Sequence, residues 1–280
     1  MFNNFGFVVL NYVNHRETME CVASILALPG SPRIVVVDNA SPNESFGLLE
    51  QQYRGHDRIQ VLQSGRNGGY SAGNNVGIAA LRRQGVTDIV IATSDTRVEG
   101  PDLLERCAAA KAQGIAVVGP YIRNPEPGSQ NPMLTRLTLQ YIAAIHLGDA
   151  WTAVKQLAFR TVLKHRAPGA PVVPAPVPPE PVDVYMVHGC FLYMSEHYLR
   201  HFPVLDEDLF MYGEEDLIAF NCARLGLRTT YDPLMRVYHG DSMSTNKEGD
   251  FRSRAVSVSM NTLRQKMPVG ALIHAYFRSA

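Results

Sequence analysis

The chain has 280 residues, 26 Lys and Arg against 26 Asp and Glu, and 46% hydrophobic residues. That is a globular composition, long enough for one large domain or two small ones. A formal net charge of zero gives no electrostatic ground for a nucleic-acid binder or a general membrane-surface binder.

Residues 5–12 (FGFVVLNY) and 34–38 (IVVVD) are β-rich and continuously apolar, as strands are when both faces of a parallel sheet are covered. The first run has no basic region before it and no small-residue cleavage site after it, so it reads as a strand rather than a signal peptide. Between the two, Met19, Val22, Ile25 and Leu26 fall at helical spacing, which makes a right-handed βαβ unit. Residues 44–53 predict a second helix and 59–62 (IQVL) a third strand. The glycine-rich stretch NGGYSAGNNVG at 67–77 runs into a helix over 76–83. DIVIAT at 88–93 predicts a strand that ends in Ser94-Asp95-Thr96, followed by a helix over 101–113 and a strand over 115–119. This alternation predicts an α/β fold, a mostly parallel sheet flanked by helices, with residues 1–122 as a nucleotide-binding half.

Residues 123–182 break the pattern. They open NPEPGSQNP, carry a helical pattern around 134–164 with the sole tryptophan, Trp151, and end APGAPVVPAPVPPEP. Such a proline run forms neither a central strand nor a helix, so the segment reads as an insertion or lid with a polyproline-like loop. Residues 183–245 form the second half of the same domain. In 183–205 a strand pattern leads to His188-Gly189 and then a helix; a structural role for His188 is the simpler account, with contact to acceptor or phosphate as the alternative. Phe210 and Tyr212 read more simply as core than as sugar-stacking rings. Behind Gly213 stand three acids in a row, Glu214, Glu215 and Asp216, then an apolar helical pattern, a strand and His239. Buried acids at a helix start with a histidine beside them can serve as general base and metal ligand, whereas an exposed acidic first turn would only favour the helix dipole. The tail, 246–280, predicts a helix with Arg252, Arg254, Arg264 and Lys266 and the apolar end VGALIHAYF. Core packing is the preferred reading there, a peripheral membrane-docking face the alternative. The cysteines Cys21, Cys107, Cys190 and Cys222 are scattered without a CxxC, as in a reduced cytoplasmic protein. No apolar run approaches the ~20 residues that span a bilayer.

In doubly wound sheets ligands bind at the carboxyl ends of strands. Asp38 and Asn39, then Asn67 to Asn75, then Asp95 fall at three such ends. Any one of them could be an Asx turn; three converge on one rim. The glycine stretch lacks both GxxxxGK[ST] and GxGxxG. Gly68, Gly69, Gly73 and Gly77 allow close backbone approach to an anion at a helix N-terminus, or equally a tight turn with close helix–sheet packing. One carboxylate, one histidine and a diphosphate suffice for an oxygen-preferring Mg²⁺ or Mn²⁺.

The motifs VVLNY, VVVDNAS, NGGYSAGNNVGI, TSDT, VHGCFLYM, FMYGEEDL and VYHGDSMS occur in this order over 5–122 and 183–245. In that order the chain resembles the family 2 glycosyltransferases of the GT-A fold, most closely the rhamnosyltransferase-like branch. The resemblance implies inverting transfer from a nucleotide-diphosphate sugar, dTDP-rhamnose first and a UDP-sugar next, to a hydroxyl of a glycan or lipid-linked glycan in cell-surface polysaccharide synthesis. It implies a cytoplasmic enzyme, peripheral at the inner membrane face, with no nucleic-acid partner and with oligomeric state left open. Asp38 would contact the nucleotide base, with Asn11, Tyr12 and Asn39 nearby. Asn67, Gly69 and Asn74 would surround nucleotide and diphosphate. Ser94 and Asp95 match the end of a DxD-like motif, with Asp95 and His239 as ligands of Mg²⁺ or Mn²⁺. Glu215 matches the second acid of the family's ED pair and would be the catalytic base, with Glu214 and Asp216 as alternative registers. The chain departs from the pattern in having one carboxylate in Thr93-Ser94-Asp95 and a longer 124–182 segment. A degenerate nucleotide-sugar-binding protein is the alternative; a nucleotidyltransferase ranks lower, because residues 10–18 offer only Arg16 to a triphosphate.

Overall fold

The computed structural model describes residues 2, 4–125, 128–147, 178–240 and 249–279, the side chains of 249–254 and 279 excepted. Strand β1 (Phe5–Asn11) and strand β2 (Arg33–Asp38) are buried along nearly their whole length, as the unbroken apolar runs predict. Helix α1 (His15–Leu26) joins them and helix α2 (Ser45–Tyr53) leads to β3 (Ile59–Gln63). Helix α3 (Gly69–Arg83) leads to β4 (Asp88–Thr93) and a three-residue β5 (Thr96–Val98). Parallel registers align the last residues of these strands: Asn11 with Asp38, Asp38 with Gln63, and Leu10 with Thr93. One rim therefore collects the polar strand ends.

Helix α4 (Leu103–Ala112), β6 (Ile115–Arg123), α5 (Leu139–Leu147), β7 (Val182–Asp183), β8 (Phe191–Met194), α6 (Glu196–Leu199), α7 (Glu214–Leu225), β9 (Arg228–His239), α8 (Gly249–Lys266) and α9 (Val269–Ser279) follow. Among the described residues the strands form one sheet in the order β3-β2-β1-β4-β8-β6-β9-β5, with β7 on β9. Strand β8 runs antiparallel between β4 and β6, while β9 runs parallel to β6. Residues before and after the insertion thus share a single sheet.

Side chains alternate between two covered faces, as the period of a strand requires. Phe7, Val9, Val36 and Val90 pack with Cys21 and Ile25 of α1 and Leu104 of α4. Val8, Val35, Ile89 and Ile91 pack with Ile78 and Leu81 of α3 and Ile218 and Cys222 of α7. A third cluster joins Ile142 of α5, Phe220 of α7, Leu263 of α8 and Leu272 of α9, so one face of the tail is core. Its other face leaves Val269, Ile273 and Phe277 exposed. No helix among the described residues is long and apolar enough to cross a membrane.

Three elements differ from the sequence expectation. Helix α3 begins at Gly69 rather than at 76, because the glycines are absorbed by packing. A Cβ on Gly73 would lie 2.5 Å from Leu10, and one on Gly77 2.5 Å from Val8; tertiary contact overrides the weak helix propensity of glycine. The strand expected before His188-Gly189 instead follows it as β8, where ladders to both β4 and β6 hold it. The third is β5, three residues laddered to β9 and bonded to α1 through the Val98 N–H and Ser24 Oγ at 3.0 Å; its local pattern is too short to read. Residues 148–177, with Trp151 and most of the proline run, lie outside the described residues.

Candidate active site

The register of β1 with β2 sets Asn11 beside Asp38, both fully buried. The Asn11 side-chain amide donates to Asp38 Oδ1 at 2.7 Å. Ser41 donates its backbone N–H to Oδ2 at 2.9 Å and its hydroxyl to Oδ1 at 2.6 Å. The Asp38 carboxylate therefore shapes the 39–41 turn from inside, and Tyr12 stands exposed on the adjoining loop. The Asn39 amide donates to Asn67 Oδ1 at 2.9 Å and to the Gly69 carbonyl at 3.0 Å, while Asn67 Oδ1 also accepts the Gly69 N–H at 3.1 Å. Together these fasten the start of α3 to the rim. Gly69 has φ +83° and a Cβ there would meet the Phe210 carbonyl oxygen at 1.8 Å; that same oxygen accepts the Tyr70 N–H at 2.9 Å. Asn74 is buried and donates to the Tyr70 carbonyl at 2.9 Å. Asn75 exchanges hydrogen bonds with the backbone of Leu205 at 2.9 and 2.7 Å. The stretch that suggested an anion loop thus works as a scaffold bringing 205–212 to the rim. Phe210 is partly exposed there, not core.

Strand β4 ends at Thr93, and the turn Ser94-Asp95 delivers Asp95 into the rim. Thr93 Oγ1 donates to Asp95 Oδ1 at 2.8 Å. Pairing of Thr96 with His239 brings the end of β9 alongside, and His239 Nε2 stands 3.4 Å from Asp95 Oδ2. Nδ1 of His239 lies 2.7 Å from Gln130 Oε1. The His188 ring is 5.7 Å from the His239 ring. His188 Nδ1 accepts the Cys190 N–H at 3.0 Å, and its own backbone N–H donates to Asn131 Oδ1 at 2.7 Å. Two donor atoms bound side by side to one divalent ion at about 2.1 Å each stand roughly 3 Å apart, so Asp95 Oδ2 and His239 Nε2 fit as a pair of ligands. The described residues hold no group of three or more such side chains, so phosphate oxygens or water would have to complete the shell, as Mg²⁺ and Mn²⁺ sites commonly require.

The three acids diverge. Gly213, at φ +99°, turns the chain into α7, whose first turn they occupy. Glu215 Oε1 accepts the Gly189 N–H at 3.0 Å, and Tyr70 donates its hydroxyl to the Gly189 carbonyl at 2.5 Å. Asp216 accepts from the Tyr141 hydroxyl of α5. Glu214 Oε1 is buried with no hydrogen-bond partner among the described residues. Burial raises all three pKa values: Glu214 to about 8, with repulsion from Glu215 adding to it, and Asp216 to about 6. Backbone N–H donors, that of Gly189 among them, hold Glu215 back toward the ionised form. Glu214 is thus held furthest toward its neutral acid, Asp216 is tied to Tyr141, and Glu215 is the acid joined to the His188 segment.

Tyr70, Gln130, Asn131 and Tyr141 were missed in the sequence. Only the polar pair Gln130-Asn131, just beyond the last strand of the first half, carried a signal, and it is one that an ordinary turn also carries. A separate cleft of about 640 Å³ opens at the opposite ends of the strands, lined by Asp102, Arg106, Asp183, Arg228 and Asp232. Its arginines are already paired, Arg106 with Asp232 at 2.9 Å and Arg228 with Asp183 at 2.8 Å.

Known proteins resemble this chain in sequence and in fold. The low-salt glycan biosynthesis hexosyltransferase Agl10 of Haloferax volcanii is 24% identical over 227 residues, 80% of this chain and 63% of that protein. The chain therefore spans less than two thirds of that relative. GalNAc-T7, solved with UDP, GalNAc and Mn²⁺, superposes with a TM-score of 0.61 at 14% identity, over 86% of this chain and 44% of its own. TarS residues 1–349 of S. aureus, solved with UDP-GlcNAc, superposes with a TM-score of 0.59 at 14% identity, over 97% and 70%. At such identity these two speak for the fold, a sheet flanked by helices that matches GT-A glycosyltransferase structures. Residues 8–163 match the description Glycosyl transferase family 2; with more than half of the chain inside that match and the GT-A sheet built around it, the protein belongs to Glycosyl transferase family 2.

Proposed function

We propose that the protein transfers a sugar from a nucleoside-diphosphate donor to a hydroxyl of a glycan acceptor, with inversion at the anomeric carbon. The observation that carries this is the meeting, on one rim, of the Glu215 carboxylate with the Asp95–His239 pair through the His188-Gly189-Cys190 segment. Glu215 takes the proton from the acceptor hydroxyl as that oxygen forms its bond to the anomeric carbon. The bond to the diphosphate breaks with its electron pair, and a single displacement inverts the centre. Asp95 and His239 would hold a divalent cation, which supplies Lewis-acid stabilisation of the departing diphosphate. The polar ends of β1, β2 and α3, from Asn11 and Asp38 to Asn67, frame the nucleotide. UDP and UDP-GlcNAc in the solved neighbours move UDP-sugars ahead of the dTDP-rhamnose suggested by the rhamnosyltransferase-like branch. The acceptor, a glycan free or lipid-linked, would approach from the side of α5 and α7, with peripheral membrane association at the inner face.

A thermal-shift and calorimetry panel of UDP, dTDP and GDP, with and without Mn²⁺, tests this. A ligand at 100 times its Kd adds about 2.7 kcal/mol of stability to the native state. Stabilisation by one nucleotide supports the reading, and donor hydrolysis or transfer then separates an enzyme from a degenerate binder. No response to any nucleotide would overturn it.

A further inference from the structure

Gln130 belongs to the loop between β6 and α5, the start of the segment whose sequence carried no functional motif. That loop is laced to the end of β6. The Gln130 N–H donates to the Ile122 carbonyl at 3.2 Å, and Ser129 Oγ accepts the Ile122 N–H at 3.1 Å and the Asn131 N–H at 3.2 Å. The Asn131 amide, almost fully buried, donates to the Pro120 carbonyl at 2.9 Å and accepts the His188 N–H at 2.7 Å. Gln130 is therefore presented from a braced platform, as a side chain must be if it is to orient another.

Its amide oxygen lies 2.7 Å from His239 Nδ1. A carbonyl oxygen only accepts, so Nδ1 carries the hydrogen and the neutral ring keeps its lone pair on Nε2. Nε2 is the atom 3.4 Å from Asp95 Oδ2. The neighbouring ring has the opposite arrangement: His188 Nδ1 accepts the Cys190 N–H, so its neutral form carries the hydrogen on Nε2. Two histidines with rings 5.7 Å apart are thus set as one ligand and one donor.

We infer that Gln130 is a positioning residue, holding His239 in the Nδ1–H tautomer that turns the Nε2 lone pair toward a divalent cation shared with Asp95. The cation rests on the proposed function above; the tautomer rests on this chain's own contacts. Partners that fix the far nitrogen of a metal-binding histidine are worth about 10–100-fold in metal affinity.

The test has two readouts on the full chain. Two-bond ¹H–¹⁵N correlations of histidine-labelled, metal-free protein at pH 8 report the tautomer, with Gln130→Ala and Gln130→Glu as variants and His239→Ala for assignment. Wild type is expected to show Nδ1–H at His239, and Gln130→Ala to shift it toward Nε2–H. Gln130→Glu keeps an accepting oxygen and the wild-type tautomer. Mn²⁺ titrated in the presence of UDP and followed by electron paramagnetic resonance should bind about 10–100-fold more weakly to Gln130→Ala and at least as tightly as wild type to Gln130→Glu. Nε2–H at His239 in the wild type would overturn the inference, as would wild-type Mn²⁺ affinity in Gln130→Ala or equal weakness in Gln130→Glu. The expected tautomers with no Mn²⁺ binding in the wild type would instead overturn the cation site, and with it the purpose assigned to Gln130.

Discussion

The backbone N–H of Gly189 donates to Glu215 Oε1 at 3.0 Å, and a Cβ on the same glycine would stand 2.8 Å from that oxygen, so a side chain there would push the carboxyl group aside. The contact fixes one acid of the three against the segment that carries His188. It leaves Glu214 facing the interior and Asp216 facing α5, so the ambiguity of a run of three carboxylates becomes a difference in surroundings.

Glu215→Gln should lower turnover by about 10²–10⁴-fold, the usual loss for a general base. Glutamine retains an oxygen for the Gly189 N–H, so nucleotide affinity by calorimetry should stay within a few-fold of wild type. Turnover above one tenth of wild type would remove Glu215 from the role of base.

Asp95→Ala should abolish the gain in UDP affinity that Mn²⁺ gives the wild type, leaving the metal-free affinity nearly unchanged. His239→Ala should reduce that gain without abolishing it, because one carboxylate ligand remains. Isothermal titration with and without Mn²⁺ reads both, and an undiminished Mn²⁺ effect in Asp95→Ala would place the cation elsewhere.

Most of the frame was legible in the sequence. Buried parallel strands announce themselves as runs such as FVVLN and IVVVD, and turn residues at their ends, such as Asp38 and Asp95, mark the rim. The start of α3 was not legible, because Gly73 and Gly77 are helical only where Leu10 and Val8 press on them. The partners of the rim residues were not legible either. Gln130 reaches His239, Tyr141 reaches Asp216 and Tyr70 reaches Gly189 across sequence separations that no local pattern encodes. The bonds that Asp38 accepts from Asn11 and Ser41 follow from burial and strand register, which residue type alone does not encode.

Gly69 and Gly55 provide a matched pair. Both have positive φ, +83° and +76°, yet a Cβ on Gly55 meets nothing within 4 Å whereas one on Gly69 meets the Phe210 carbonyl oxygen at 1.8 Å. Gly55→Ala should cost only the backbone strain, about 1 kcal/mol. Gly69→Ala adds displacement of the 205–212 loop and loss of the bond from the Tyr70 N–H to Phe210, and should cost more than about 3 kcal/mol. Urea denaturation of the two variants checks this; equal losses would mean that the loop yields freely and that Gly69 does not hold it.

Glu214 makes stability depend on pH in a direction that can be worked out. It is 6% exposed, and burial with the adjacent Glu215 raises its pKa from 4.5 to about 8. Between those values the folded carboxyl keeps a proton that the unfolded chain has lost, so the folded state binds more protons and stability falls as pH rises. The penalty is absent below about pH 4.5, grows through the window and levels off above about pH 8. Each pH unit of separation is worth about 1.4 kcal/mol at most. Glu215 and Asp216, both raised by burial, push the same way, Asp216 up to about pH 6, so the wild-type slope is a sum; Glu214→Gln removes one contribution and leaves the others. Glutamine also brings an amide to the small cavity of about 20 Å³ lined by Glu214 and Ser71, where Ser71 Oγ is buried with no hydrogen-bond partner among the described residues. The variant should match wild type near pH 5 and exceed it at pH 8 by on the order of 2 kcal/mol. Urea midpoints at pH 5, 6.5 and 8 measure the difference; parallel curves for the two proteins would show that Glu214 is ionised at no greater cost in the folded state than in the unfolded chain.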